Sequence, residues 1–384
     1  MSEGGLGGDR KAPQIAMTPI LTVGNLYITP YSLMILAGAL AGILLVWRKQ
    51  FVRPLLPAVL LGALLFGHLF WVLFCPYDYE AAEGRLYMIL RPWQGGYTLY
   101  GALLGGALGA LVAGKAAGVK WVDALDALAP GACAVILFAR VGEVFTGEGI
   151  GRFAEVEWTH FFPLAVCTDA DFDEWKYIVW FWEALVALIL LVVLLKRERK
   201  ALRGQQTVLF LIVLGTTQIL LEQMRRDNYL RIIVFVPVNQ LAAIATLLIL
   251  LVVLLVRHKP GAAETGWTIA AFVSAALAVM AAEFLFDKIE YLPWMNAAVA
   301  VAAVSFAGLM WVRRKQKGIL PAAVICLIAA ALLITYNLND WNDFDPEPAD
   351  TMFRFALLYG IMAVNLVAAG ITVWSAGTSR KPSP

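Results

Sequence analysis

The sequence predicts an all-α polytopic integral membrane protein, and three observations carry that expectation. Of 384 residues, 61% are hydrophobic and only 15% charged, against about 25% charged in an average soluble domain. Counting Gly in place of Tyr brings the apolar share to roughly 66%, far above the ~45–50% of soluble chains. The apolar residues fall in blocks long enough to cross a hydrocarbon layer of about 30 Å at about 1.5 Å per residue. The Lys and Arg residues gather between alternate blocks, as the cytoplasmic loops of a membrane protein do.

The blocks, in order, are Tyr31–Trp47, Leu55–Cys75, Tyr97–Gly114, Val122–Ala139, Tyr177–Leu195, Thr207–Leu221, Ile232–Val256, Thr268–Leu285, Trp294–Val312, Ile319–Tyr336 and Met352–Trp374. If successive helices alternate direction, Arg48, Lys49 and Arg53 share a side with Lys115 and Lys120. The Lys196–Arg203 cluster, Arg257, Lys259, the Arg313–Lys317 cluster, Arg380 and Lys381 join them. That side holds 18 of the 30 basic residues. It is therefore expected to be cytoplasmic, with the N-terminus outside and the C-terminus inside. Met1 to Ala16 is Gly-rich and polar and leads directly into a full span, so no cleavable signal is expected.

Net charge is +2, which speaks against a nucleic-acid partner. Four Cys without a CxxC pair and three His (His68, His160, His258) give no metal-like spacing. No metal and no cofactor is expected. Cys75 and Cys167 both fall on the outer side, where a disulfide would need their Cα atoms within about 7 Å.

Each basic residue on the outer side works against the topology bias and asks for a reason. Arg140, Arg152, Arg225, Arg226 and Arg231 stand at or near the outer ends of spans. Single arginines there snorkel to lipid phosphates; several in short segments point to an anion site. Gln218 and Glu222 share a helix face, with Arg225 and Arg226 three and four residues beyond Glu222. That arrangement is either a helix-end salt bridge or a carboxylate that holds guanidiniums for a ligand. Glu183 opens the fifth span. Asp123 and Asp126 open the fourth, where carboxylates complement a helix dipole.

The run Gly101-Ala-Leu-Leu-Gly105-Gly106-Ala-Leu-Gly109 places small residues four apart and predicts close approach between helices. Before it, Trp93-Gln-Gly-Gly96 reads as an interfacial segment, with Tyr100 just inside. The stretch from Arg140 to Arg152 has four glycines between two arginines. A backbone free to bend and two guanidiniums suit a phosphate or phospholipid head group.

These residues resemble the bacterial prolipoprotein diacylglyceryl transferases over about Pro19 to Val256. Trp93-Gln-Gly95-Gly96 before Tyr100-Gly101 resembles the family's Trp-x-Gly-Gly…His-Gly-Gly segment. Arg140 to Arg152 resembles its signature Arg-x-Gly-Asn-Phe-x-Asn-x-Glu-x-x-Gly-Arg. Gln218 to Arg225 resembles its Arg-Phe-x-x-Glu-x-x-Arg, Glu183 its Tyr-Glu at the fifth span, and Gln240 the Gln opening the last core helix. Arg140, Gly142, Phe145, Gly147, Glu148, Gly151, Arg152, Glu222 and Arg225 are retained. The family's histidine is Tyr100 here, its signature asparagines are Glu143 and Thr146, and its arginine in the sixth span is Gln218.

The resemblance implies a seven-helix transferase-like core in residues 1–259; the apolar blocks of residues 260–384, which match nothing in the family pattern, add about four transmembrane helices. It implies a bacterial plasma-membrane enzyme that moves the diacylglyceryl group of phosphatidylglycerol to the lipobox cysteine of a preprotein. Its partners are then phosphatidylglycerol, lipobox-containing preproteins and membrane lipid. Catalytic roles fall to Arg140, Glu143 and Tyr100; substrate-binding roles fall to Gly142, Glu148, Gly151, Arg152, Glu183, Gln218, Glu222 and Arg225. Glu143 can serve as a base, or equally neutralise Arg140 and repel the phosphate. Tyr100, a phenol with a free pKa of about 10, is a poor base. Because family positions are substituted, a non-catalytic descendant that binds phospholipid or lipoprotein stays open, and a transporter is disfavoured because no internal repeat is visible. The four later spans carry few charges beyond Glu283 and Asp287. Their last outer loop, Asn337 to Asp350, is acidic and reads as hydrated.

Overall fold

The computed structural model describes residues 20–23, 26–74, 89–92, 96–154, 156–169, 173–225, 231–232, 236–258, 261–285, 292–312 and single positions between 327 and 334. The last two apolar blocks fall almost wholly outside these residues, as do the acidic loop, Asp287, Arg226, Trp93 and Cys75. Cys167 is a free thiol.

The described chain is a helix bundle. Its helices are α1 (Pro30–Trp47), α2 (Leu56–Phe74), α3 (Leu99–Ala116), α4 (Trp121–Gly142) and α5 (Val179–Arg197). They continue with α6 (Gln205–Leu221), α7 (Val238–His258), α8 (Ala262–Leu285) and α9 (Leu292–Val312). Six apolar stretches, in α1, α2, α3, α4, α5 and α7, are long enough to cross a membrane; α6 is shorter. Their outer faces carry large apolar side chains such as Leu44, Leu61, Ile189 and Ile249, each more than half exposed. Small and polar side chains lie inside, the arrangement expected where lipid is the solvent.

Local chemistry sets the helix ends. Pro30 takes the first position of α1, where its missing N–H costs nothing. Thr29 and Ser32 cap that end reciprocally, Ser32 N–H donating to Thr29 Oγ1 at 3.2 Å and Thr29 N–H to Ser32 Oγ at 2.9 Å. Thr98 Oγ1 accepts the Gly101 N–H at 3.2 Å and starts α3. Asp126 does not serve its own helix: it accepts Thr207 N–H at 2.8 Å and Thr207 Oγ1–H at 2.7 Å, and so caps α6 from α4. Asp123 pairs with Arg203 at 2.5 Å.

Two elements differ from the sequence expectation. The seventh span starts at Val238 rather than Ile232, because Pro237 has no N–H and keeps the residue before it out of helical geometry. Strands β6 (Arg231–Ile232) and β7 (Val236–Pro237) form a hairpin there. Between α4 and α5 the chain builds β3 (Ile150–Phe153), β4 (Ala165–Asp169) and β5 (Glu174–Ile178), an antiparallel sheet in the order β3-β5-β4. A further hairpin, β1 (Leu21–Val23) with β2 (Leu26–Ile28), precedes α1.

Close helix contacts explain the small residues. On α3, a Cβ at Gly105 would strike the carbonyl oxygen of Gly62 on α2, and one at Gly101 would lie 2.6 Å from that of Phe66. Gly42 of α1 meets Gly131 of α4 in the same way, with Gly38 over Phe138 and Tyr31 beside Gly142. These contacts run in opposite chain directions, so α2 is antiparallel to α3 and α1 to α4. The ends of α4 and α6 and the starts of α3, α5 and α7 therefore share one end of the bundle. The added helices α8 and α9 pack on each other. They place Ala271, Phe272, Val299 and Phe306 in one apolar cluster with Ile219, Leu247 and Tyr100 of the core.

Candidate active site

At the end of the bundle where α4 and α6 finish and α5 begins, four charged side chains and one amide converge. Arg140 occupies the last turn of α4, and the chain tightens after Gly142 into a 3-10 turn, Glu143–Phe145. Glu143 thereby faces back towards Arg140, three residues earlier. Glu183 sits one turn into α5, Gln218 in the last turn of α6, and Arg225 just beyond a second 3-10 turn, Glu222–Met224. Arg225 is held by an antiparallel bridge to Gly151 at the sheet edge.

The side chains form one network. Arg140 is ion-paired with Glu143, its Nε lies 3.2 Å from Glu183 Oε2, and its Nη2 donates to Gln218 Oε1 at 3.3 Å. Gln218 Nε2 donates to Glu183 Oε1 at 2.6 Å. Arg225 Nη1 donates to Glu183 Oε2 at 2.8 Å and to Glu143 Oε2 at 3.1 Å. Glu143, Glu183, Gln218 and Glu222 are all buried, and Arg140 is 8% exposed. Two guanidiniums and two carboxylates out of water are stable only when paired and hydrogen-bonded, which is what the network supplies.

A second set lies beside it. Glu222 Oε1 accepts from Asn239 Nδ2 at 3.1 Å, and Gln240 Nε2 donates to Ile219 O at 3.1 Å. Tyr100, in the first turn of α3, lies within electrostatic reach of Glu222, Arg140 and Glu183. Its hydroxyl is buried without a hydrogen-bond partner among the described residues, as are Thr216 Oγ1, Asn239 Oδ1 and Gln240 Oε1. These atoms, on α3, α6 and α7, are hydrogen-bonding capacity that the described protein groups leave unused.

Arg140, Glu143, Glu183, Gln218 and Arg225 thus meet in direct contact, and Tyr100 and Glu222 adjoin them. Gly142 and Gly151 are packing positions. A Cβ at Gly142 would lie 3.0 Å from Met34 and the Tyr31 ring, and one at Gly151 would lie 2.9 Å from Met224 O. The flexible backbone falls instead at Gly147 and Gly149, whose φ angles are 70° and 69°. Arg152 and Glu148 are exposed, on β3 and on the turn before it. Asn239 and Thr216 were not expected from the sequence. The signal for Asn239 was its place beside Gln240, directly after the Pro237 that starts α7.

Fold and site together define a polytopic membrane protein with a guanidinium–carboxylate chamber at one end of its bundle. Residues 19–256 match the sequence model of the family described as prolipoprotein diacylglyceryl transferase, and the chain belongs to that family. It is similar to the phosphatidylglycerol–prolipoprotein diacylglyceryl transferase of Tropheryma whipplei (strain Twist), with 27% identity over 217 residues, 53% of this chain and 79% of that protein. The enzyme of the same description from Frankia alni is 27% identical over 220 residues, 54% of this chain and 58% of its own length. That of Gloeobacter violaceus is 30% identical over 155 residues, 38% and 56% respectively. The chain is therefore a transferase-family protein of the bacterial membrane.

Proposed function

We propose that the protein transfers the diacylglyceryl group of phosphatidylglycerol to the cysteine thiol of a preprotein lipobox. In this reaction a C–S bond forms at the terminal glyceryl carbon of the diacylglycerol. The bond from that carbon to the phosphate ester oxygen breaks, and glycerol phosphate leaves with the electron pair. The thiol, with a free pKa of about 8.5, gives up its proton before or during attack. The phosphate needs cations that stabilise charge on the departing oxygen more than in the ground state. Arg140 and Arg225 converge from two helix ends and meet that need, and their convergence is the observation that carries this reading. Arg152, exposed on β3, draws the anionic head group inward, with Glu148 beside it. Glu183 and Gln218 fix the guanidiniums, and Tyr100 O–H with the unpaired oxygens of Asn239 and Gln240 receives the glycerol end.

Orientation follows from the charge count: the site faces outward, the Lys- and Arg-rich connections face the cytoplasm, and residues 260–384 add a bundle beside a core of residues 1–259. The experiment is a mass assay on the full chain in phosphatidylglycerol bilayers with a lipobox peptide. A diacylglyceryl mass gain that disappears in Arg140→Ala supports the assignment, and an undiminished gain in that variant overturns it.

One observation favours a second reading. Glu143 stands in ion-pair contact with both arginines, where the family signature has an asparagine. If no product forms while phosphatidylglycerol still binds, the protein is a lipid-binding descendant that has lost the transfer step.

A further inference from the structure

The opposite end of the bundle holds a cleft that the transfer reaction does not use. It encloses about 590 Å³ and is lined by Leu111 and Lys115 of α3, Val119 and Lys120 of the connection, Trp121 and Val122 of α4, Arg203 before α6 and Arg257 of α7. We propose that this cleft binds the phosphate head of an anionic phospholipid from the leaflet opposite the reaction site, a binding function separate from catalysis. Only the naming of that leaflet as cytoplasmic rests on the orientation proposed above.

Several features set the cleft apart from cations that merely obey the topology rule. Four basic side chains from four segments turn to one concavity. Arg203 is fixed by Asp123, Nε to Oδ1 at 2.5 Å and Nη2 to Oδ2 at 2.7 Å. That carboxylate is the counter-charge to Arg203, so the group keeps three net positive charges. Arg257 lies over the Trp121 ring, 5.7 Å from its centroid. This stacking positions the guanidinium and leaves its edge to donate. Lys120 stands at the N-terminus of the 22-residue α4 and makes no capping hydrogen bond with its side chain. The first N–H groups of a long helix therefore border the same space, and an anion there is favoured by the helix dipole.

The walls decide the ligand class. Leu111 lies one turn before Lys115 on the same face of α3. Leu111 and Trp121 are about half exposed, and Val119 and Val122 complete an apolar surface that continues into the membrane-facing side. A free phosphate would use the cations and leave this surface wet. A phospholipid satisfies both, its phosphate at Lys115, Lys120 and Arg257 and its first acyl carbons along Leu111. Since α4 spans 22 residues, about 33 Å at 1.5 Å per residue, the lipid held here cannot be the one that reacts at Arg140.

The test is native mass spectrometry of the full chain with dioleoylphosphatidic acid or dioleoylphosphatidylcholine, and with inorganic phosphate as competitor. A Lys115→Gln, Lys120→Gln, Arg257→Gln variant should lose roughly a hundredfold in affinity for the anionic lipid, at about 1 kcal/mol for each cation. Lys115→Arg with Lys120→Arg should keep it. Phosphatidylcholine should bind weakly to both proteins, and inorganic phosphate should not displace the lipid. Equal retention of phosphatidic acid by the wild-type and the triple variant overturns the proposal, as does displacement by millimolar phosphate. Should the triple variant fail to fold, Arg257→Glu, a single change at an exposed side chain, takes its place with an expected loss of roughly thirtyfold.

Discussion

Glu143 Oε2 lies 3.1 Å from Arg225 Nη1, a contact across 82 residues that joins the end of α4 to the segment after α6. The same carboxylate is ion-paired with Arg140. Two guanidiniums that would otherwise face a phosphate are therefore bridged by an anion of the chain itself, and substrate must share or displace it.

Glu143→Gln tests that relationship. The amide keeps an oxygen that accepts from both arginines and removes one negative charge from beside the phosphate position. At an effective dielectric of about 20, charges a few ångströms apart interact by several kcal/mol, of which desolvation cancels a large part. We expect phosphatidylglycerol to bind about tenfold more tightly. If Glu143 takes the thiol proton, transfer falls while binding tightens; if it only screens the arginines, both rise. Unchanged binding would show that Glu143 does not compete with phosphate.

Arg140→Ala removes the cation shared by Glu143, Glu183 and Gln218. Breaking a buried network by deleting one partner costs about 3–5 kcal/mol, because the other charges stay buried. A lower unfolding midpoint in detergent is expected, together with loss of transfer. Adding Glu143→Gln should recover a good part of the stability without restoring transfer. Full recovery of transfer in the double variant would remove Arg140 from the reaction.

Much of this site was legible in the sequence because a charged group near hydrocarbon is costly and so stands out. Arg140, Glu183, Glu222 and Arg225 could be picked out against apolar surroundings, and the glycines of α3 by their spacing of four. What spacing could not give was contact between distant segments. Asp126 looked like a dipole partner for its own helix, yet it caps α6, since its carboxylate reaches Thr207 across the α4–α6 contact. Gly142 and Gly151, singled out for substrate binding, also serve packing, since a Cβ at either would crowd its neighbours. The sheet between α4 and α5 was masked by the surrounding helical pattern, as its strands are only four or five residues long.

Tyr100→Phe separates a ligand contact from a structural one. The hydroxyl is buried and has no hydrogen-bond partner among the described residues, so its removal deletes no protein contact seen there. Stability should change by no more than about 0.5 kcal/mol. If the phenol donates to the substrate, the transfer rate at saturating lipid should fall about a hundredfold, as when one donor to a developing charge is lost. An unchanged rate would place Tyr100 among packing residues, alongside Ile219 and Leu247 of its apolar cluster.

The contact between α2 and α3 supplies the last prediction, because α3 carries Tyr100 into the site. A Cβ at Gly105 would collide with the Gly62 carbonyl, whereas one at Gly106 would have its nearest neighbours, in Val59, at 3.7 Å. Two adjacent glycines thus face different surroundings. At Gly105 the obstruction is backbone, which cannot swing aside, so Gly105→Val must push the helices apart. The cost should match or exceed the 1–3 kcal/mol or so typical of overpacking, with transfer falling as Tyr100 shifts. Gly106→Ala enters ordinary van der Waals space and gains helix propensity, so it should be neutral or stabilising by up to about 1 kcal/mol. Unfolding midpoints and transfer rates measured side by side decide the matter: if both substitutions behave alike, the α2–α3 contact does not position the site.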